Sequence, residues 1–152
     1  EAAYEAAMAN PTWPARMQRL TTGKLVNRLQ GQELWLDGGH NPAAGKALAD
    51  TIKALPPRKT HLICGMINTK DVAGFLRPMA DIADSLIAIG IPGEANAVSP
   101  NDIAQAAKSV EISATTATDV DSALSVLGQH HPQARVIICG SLYLAGHILR
   151  EN

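Results

Sequence analysis

The stretch Leu34-Trp35-Leu36-Asp37-Gly38-Gly39-His40-Asn41-Pro42 decides how the rest of the chain is read. Its first residues form a short apolar run of the kind that makes a strand, and the run stops at Asp37. Beyond Pro42 the period changes, because Ala44, Leu48, Ile52 and Leu55 fall on one face of a helix. The order is therefore strand, glycine loop, helix. In open α/β sheets ligands bind outside the carboxyl ends of strands, which is where this loop lies. Asp37 can accept two hydroxyl hydrogen bonds, as a ribose diol would offer. Gly38 and Gly39 permit unusual backbone angles and the close approach of a ligand. His40 can donate to an anion or handle a proton near neutrality. Asn41-Pro42 suits the start of the helix. The same residues also make a capping Asp, two turn glycines and an exposed His. The chemistry of the loop weighs the two readings about evenly.

Outward from the loop, the pattern alternates. On the N-terminal side, Lys24–Gln30 and Glu33–Leu36 read as two strands joined at Gly31-Gln32, a hairpin. Pro11–Arg16 reads as an extended arm, and Glu1–Ala9 as an Ala-rich helix that Asn10-Pro11 ends. On the C-terminal side a helix is expected over 43–55, a strand over 61–66 and a helix over 71–80 that Pro78 ends or kinks. A strand at 85–89, a helix from Ser99-Pro100 to about 110 and a weak strand at 111–116 follow. Asp119 or Asp121 caps a helix to about 129, Arg135–Cys139 is a strand, and Gly140-Ser141 opens a last helix to 149. Strands alternating with helices predict an α/β fold, a Rossmann-like, mostly parallel sheet flanked by helices, with an N-terminal β-hairpin. Residues 1–10 are expected to be the end of a preceding domain or a linker helix, and 11–152 a single α/β domain. The start at Glu1, on what reads as the end of a helix, suggests a piece of a longer protein.

Composition narrows the function classes. With 152 residues the chain suits one core, and with aromatics at 3% that core must be built from Ala, Leu, Ile and Val. The formal net charge is -1 and no block of like charge occurs, so neither nucleic acid nor an anionic membrane is an expected partner. No apolar run approaches the roughly 20 residues of a spanning helix. Cys64 and Cys139 sit inside aliphatic runs and read as buried free thiols of a cytoplasmic protein. His130-His131 has no companion cluster, so no metal site is expected.

Other candidates are individually weak. Gly45-Lys46 resembles the end of a phosphate-binding P-loop, but that motif needs a glycine at position 40 and Ser or Thr at 47, where this chain has His and Ala. A main phosphate cradle is therefore not expected on this chain. Arg16 on the arm carries a planar fork suited to phosphate, though a surface arginine is the commoner case. Gly140-Ser141 places a hydroxyl at a helix N-terminus, where an anion is favoured, and is equally an ordinary cap. In Gly65-Met66-Ile67-Asn68-Thr69-Lys70-Asp71, Lys70 or Asp71 could reach a ligand, although a polar loop with Asp71 near a helix start is the stronger reading.

Taken together, these segments resemble a known family. Asp37–Pro42 is similar to the Asp-Gly-Ala-His-Asn-Pro motif of folylpolyglutamate and dihydrofolate synthases, within the Mur ligase superfamily. Trp13–Gln18 resembles the family's Pro-Gly-Arg-Leu-Glu segment, with Ala15 for Gly and Gln18 for Glu. Gly65–Asp71 resembles its Gly-Met-x-x-x-Lys-Asp loop, and Gly140-Ser141-Leu142-Tyr143 its terminal Gly-Ser-Leu-Tyr segment. The resemblance covers the chain from Pro11 onward, in order. It implies the C-terminal domain of an ATP-dependent ligase that adds L-glutamate to a folate or dihydropteroate carboxylate through an acyl phosphate. By that resemblance Asp37 binds the ATP ribose, Arg16 a phosphate, His40 lies near the transferring phosphate or the glutamate, and Ser141 helps hold glutamate. It also implies a partner, the protein's own N-terminal ATPase domain, carrying the P-loop and the magnesium ligands. A fragment without that domain is expected to be inactive. Two other readings stay open: a Mur-type peptidoglycan ligase domain, which usually carries Tyr-Ala-His-Asn-Pro at the loop, and a free-standing nucleotide-binding module.

Overall fold

The architecture follows from where aliphatic residues alternate and where they recur at helical spacing. The computed structural model describes residues 15–68 and 71–152. Six strands form one sheet: β1 (Gln18–Leu20), β2 (Glu33–Leu36), β3 (Thr60–Cys64), β4 (Ser85–Ala88), β5 (Ala114–Thr116) and β6 (Arg135–Cys139). Their order is β1-β2-β6-β3-β4-β5. Only β1 runs antiparallel, against β2; every other neighbour pair is parallel. Five α-helices flank the sheet: α1 (Pro42–Ala54), α2 (Val72–Leu76), α3 (Pro100–Ser109), α4 (Val120–His130) and α5 (Leu142–Glu151). The expected α/β class is thus the observed one. The expected helix at 1–10 and the arm residues 11–14 lie outside the described residues.

The strand alternation sorts the core into two layers. Ile63, Ile87, Val136 and Ile138 face α4 and α5, while Leu62, Cys64, Leu86, Ala88, Ile137 and Cys139 face α1, α2 and α3. β3 and β6 are buried at every position, as central parallel strands covered on both faces should be. Each fully buried Leu or Ile contributes about 1.5–3 kcal/mol by leaving water, before the entropy of ordering it is subtracted. Helix starts obey their capping residues. The side chains of Asn41, Asp71, Ser99, Asp119 and Ser141 each accept a backbone N–H of the first turn. Asp119, not Asp121, caps α4. The expected helix over 71–80 is two pieces, α2 and a 3-10 turn at Arg77–Met79, because Pro78 cannot donate in a continuing helix.

The N-terminal hairpin differs from the expectation. The partner of β2 is Gln18–Leu20, paired Gln18 with Leu36 and Leu20 with Leu34, and 24–30 is not a strand. That segment holds a 3-10 turn at Val26–Arg28, and Leu25 and Leu29 are buried in the layer containing α4. Leu25 and Leu29, four apart, share a face in a strand as well as in a helix, so their spacing could not tell the two apart. Gln32, expected in a two-residue turn, is buried, and its amide donates to the carbonyls of Leu127, Gly128 and His131, satisfying the C-terminal end of α4.

Candidate functional site

Connectivity predicts where a ligand should sit. The helices after β2 and β3 cover one face and the helix after β6 covers the other, and β6 lies between β2 and β3. The chain therefore leaves in opposite directions from adjacent strand ends, which opens a crevice there. Two cavities occupy it. One, of about 430 Å³, is lined by Arg16, Met17, Asp37, Gly38, Gly39 and Thr51 among others. The other, of about 510 Å³, is lined by Ile67, Asn68, Gly140, Ser141 and Tyr143. His40, Asn41 and Leu142 line both, so they form a ridge between the two.

The loop after β2 is tied down from beneath. Asp37 donates its own N–H to the Ile138 carbonyl (2.9 Å), continuing the parallel ladder. Its carboxylate is buried; one oxygen accepts the N–H of Gly39 (2.8 Å) and the other the N–H of Met17 (3.0 Å). Each carboxylate oxygen keeps a further lone pair, so Asp37 can still accept from a ligand hydroxyl. The two glycines are needed for room and not for unusual angles, since neither has positive φ. A Cβ on Gly38 would come within 2.5 Å of the Leu142 side chain, and one on Gly39 within 2.8 Å of the Ala44 Cβ. Asn41 accepts from the Ala44 N–H at 2.8 Å and so starts α1 at the crevice wall. His40 is exposed on the ridge.

The arm arrives against this loop. The Gly38 N–H donates to the Ala15 carbonyl at 2.7 Å, and the Gln18 side chain accepts from the Ala15 N–H at 2.9 Å. Ala15 (φ 57°) and Met17 (φ 39°) both lie in the left-handed region, on either side of Arg16. Each such residue costs roughly 1–2 kcal/mol in an L-amino acid. The bonds to Gly38, Asp37 and Gln18 offset that cost. Arg16 is exposed at the first cavity.

On the far side, Gly140 has φ 112°, and a Cβ there would fall 2.5 Å from the Gly65 carbonyl oxygen, so only glycine fits. Ser141 is buried; its hydroxyl oxygen accepts the N–H of Tyr143 (3.0 Å) and of Leu144 (3.4 Å). Its own O–H finds no acceptor among the described residues and remains available to the cavity it lines. Two helix N-termini, those of α1 and α5, thus border the crevice and favour an anion within it. Cys64 and Cys139 are free, buried and paired in register beneath the crevice. The neighbouring Cys64, burial and the Asp37 charge all push the Cys139 thiol up, so it stays protonated.

The structure brings together Arg16, Asp37, His40 and Ser141, the residues singled out in the sequence. Asp71 is not among them: it caps α2, accepting from Gly74 at 2.7 Å, and faces a different hollow. Thr69 and Lys70 lie outside the described residues. The residues of that loop lining the crevice are Ile67 and Asn68, and the Asn68 N–H is fixed on the Asn96 carbonyl (2.7 Å). Their place just after β3 is the signal the sequence offers for them. Leu142, named within the Gly-Ser-Leu-Tyr segment but given no role there, also lines both cavities. Gly45-Lys46 has structural duties instead of a phosphate role. A Cβ at Gly45 would reach 2.1 Å from the Phe75 carbonyl oxygen, and Lys46 pairs with Asp50 at 2.9 Å on the surface. A smaller hollow of about 230 Å³ past β4 and β5 is lined partly by Asp119 and Asp121. Asp119 is occupied as the cap of α4, and Asp121 lies 3.4 Å from Arg28. Among the described residues, no group of three or more His, Cys, Asp or Glu side chains is placed to hold a metal ion, and no helix is long and apolar enough to cross a membrane.

Comparisons with known proteins bear on the family and the fold. The family model described as "Mur ligase, glutamate ligase domain" matches residues 15–142. The chain is 23% identical over 141 residues to a folylpolyglutamate synthase of Lacticaseibacillus casei, covering 93% of this chain and 30% of that protein. The Mycobacterium tuberculosis folylpolyglutamate synthase, solved with ADP and AMPPCP, superposes with a TM-score of 0.80 at 24% identity, over 98% of this chain and 34% of that one. A bifunctional folylpolyglutamate synthase/dihydrofolate synthase from Yersinia pestis, solved with AMPPNP and a Mn ion, gives a TM-score of 0.73 at 26% identity, over 91% of this chain and 31% of that one. The chain spans about a third of the length of these relatives.

Proposed function

This chain belongs to the glutamate ligase domain family of Mur ligases, and from that premise we propose that it is the C-terminal domain, residues 11–152, of an ATP-dependent ligase adding L-glutamate to a folate or dihydropteroate carboxylate. The observation carrying the proposal is the pair of cavities at the switch point, divided by His40, Asn41 and Leu142. A reaction in which a nucleotide activates a carboxylate and an amine then attacks the acyl phosphate brings nucleotide and amine to one centre, and two adjoining pockets with a shared wall suit that. Asp37 and Arg16 border one, and Ser141 the other. The partner is the protein's own N-terminal ATPase domain, which supplies the P-loop and the magnesium ligands; no step assigned to this chain runs through a metal. The enzyme works in the cytoplasm.

In the reaction, a carboxylate oxygen of the acceptor attacks the γ-phosphorus of ATP and ADP leaves. The neutral glutamate amine then attacks the acyl carbon, the amide bond forms as the acyl–phosphate C–O bond breaks, phosphate departs, and the nitrogen passes one proton to phosphate or water while keeping one as the amide N–H. Asp37 accepts from the ribose hydroxyls with its remaining lone pairs. Arg16 offers its planar donors to a phosphate. Ser141 donates its unused O–H to a glutamate carboxylate at the start of α5, where the helix field favours an anion. His40, on the ridge, reaches the transferring phosphate or the incoming glutamate. Fixed donors of this kind are most effective where water is excluded, and closure by the partner domain also protects the acyl phosphate from hydrolysis.

The test is glutamate-dependent ATP hydrolysis and amide formation by the full-length protein, offered dihydropteroate and, separately, tetrahydrofolate. Amide product with either acceptor is expected, and its loss in Asp37→Ala and His40→Ala. The chain on its own should show no turnover and bind ATP weakly. Turnover by the chain alone, or unchanged kinetics in both variants, would contradict the reading.

A further inference from the structure

Arg16 sits between two residues in the left-handed region, and such a backbone persists only where its surroundings hold it. The described contacts show what holds it. Ala15 is fixed at both ends of its peptide geometry: its N–H is taken by the Gln18 side chain at 2.9 Å and its carbonyl by the Gly38 N–H at 2.7 Å. Met17 is fixed by the Asp37 carboxylate at 3.0 Å, a charge-assisted bond and so among the stronger kind. Asp37 is buried while Arg16 is exposed. The pattern is a rigid base under the Arg16 guanidinium, which has no partner among the described residues.

We infer that Gln18 and Asp37 are positioning residues which, by gripping the backbone at Ala15 and Met17, aim Arg16 into the cavity beside the Asp37–Asn41 loop. Gln18 is not among the residues lining that cavity, so any effect it has on a ligand there passes through the turn. Asp37 serves twice. The bond from Gly39 shapes the loop that carries His40, and the bond from Met17 ties the arm to that same loop. The positions of Arg16 and His40 are therefore linked through one carboxylate. This inference rests on the reading of Arg16 as a phosphate ligand, and the experiment separates the two.

Amide exchange in the nucleotide-free protein and the KM values of glutamate-dependent ATP hydrolysis are read together. Gln18→Ala should speed exchange at Ala15, and Asp37→Ala at Met17, each by about tenfold, the worth of one lost hydrogen bond. Gln18→Ala should raise the KM for ATP about tenfold while leaving that for glutamate within about twofold, and Gln18→Glu, which keeps an acceptor oxygen, should restore both exchange and KM. In an Arg16→Ala background, Gln18→Ala should add less than about twofold, because nothing remains to be aimed. Unchanged exchange at both amides, or fully additive KM losses in the double variant, would overturn the inference. If exchange rises as expected but Arg16→Ala leaves the KM for ATP untouched, the gripping role stands and the reading of Arg16 as a nucleotide ligand fails.

Discussion

At the N-terminal end of the parallel strands, Glu33 is surrounded by partners. One of its carboxylate oxygens accepts from Trp35 Nε1 (3.1 Å) and Arg135 Nε (3.2 Å), and the other lies 3.6 Å from Arg58 and 3.7 Å from Arg19. Arg135 also donates to the Pro56 carbonyl at 2.8 Å. Burial pushes the Glu33 carboxyl up, yet the bonds from Trp35 and Arg135 and the charges of Arg58 and Arg19 outweigh it, and the group ends below its usual range. At the C-terminal end, Arg16 and His40 stand exposed and the Ser141 hydroxyl has donating capacity to spare. Both ends are dense in polar groups. The difference lies in whether those groups satisfy one another or leave their capacity facing a cavity. Unspent hydrogen-bonding capacity at a switch point, more than charge itself, marks the site.

The comparison breaks most visibly at the ridge. His40→Ala should lower kcat for glutamate-dependent ATP hydrolysis by about 100-fold or more, while the unfolding free energy from urea titration stays within about 0.5 kcal/mol. A large loss of stability instead would make the upper edge as structural as the lower. Arg135→Ala should do the opposite. It leaves Glu33 without its buried partner, so unfolding should become easier by about 3 kcal/mol, with kcat per folded molecule unchanged.

His61 sharpens the contrast through pH. It is buried, its Nδ1 lies 2.6 Å from the Ser85 hydroxyl, its ring stacks on His131 with centroids 4.0 Å apart, and its Nε2 has no partner among the described residues. Burial, reinforced by the charges of His131 and Lys59 and only partly opposed by Asp84, holds its pKa below the ordinary 6.5. The unfolded chain therefore binds the proton more readily than the folded one. Stability from this group is full above about pH 6.5 and is lost as pH falls below that value toward the lowered folded pKa. Urea midpoints at pH 7.5 and 5.5 should differ less in His61→Gln than in the unaltered chain; an equal difference would remove His61 from the account. The smallest effect belongs to the strained turn. Ala15→Gly relieves a left-handed alanine at the expense of backbone entropy, for a net gain of about 0.5–1 kcal/mol. A loss measured by the same titration would mean that φ at Ala15 is not a source of strain.

Much of this was legible before any coordinates. The strand-loop-helix order around Asp37 and the aliphatic runs at 61–64 and 135–139 announced a parallel sheet, because buried strands need uninterrupted aliphatic runs. Capping residues placed the helix starts within a residue, since Asn41, Ser99 and Ser141 act locally. The first strand was misplaced because Lys24–Gln30 looks apolar enough to be extended. What decides its shape is the burial of Leu25 and Leu29 in the layer containing α4, a tertiary contact with no local trace. Gln32 escaped for the same reason, its partners being the carbonyls of a helix about a hundred residues later in the chain. At the site, Asp37 was legible as a polar residue at a strand end. Its bond to Met17 was not, because that depends on the arm returning beside β2.

The central claim is that the crevice between the ends of β2, β6 and β3 takes a nucleotide on the Arg16 side and glutamate on the Ser141 side. Backbone amide shifts in a nitrogen-15 spectrum, followed during titration with ADP and then with L-glutamate, test it directly and register even weak binding. ADP should move the amides of Arg16, Met17 and Gly38–Asn41, and glutamate those of Asn68 and Gly140–Tyr143, while Glu33, His61 and Arg135 stay still. Shifts gathered instead at the Glu33 end, or around the Asp119–Asp121 hollow with the crevice silent, would contradict it.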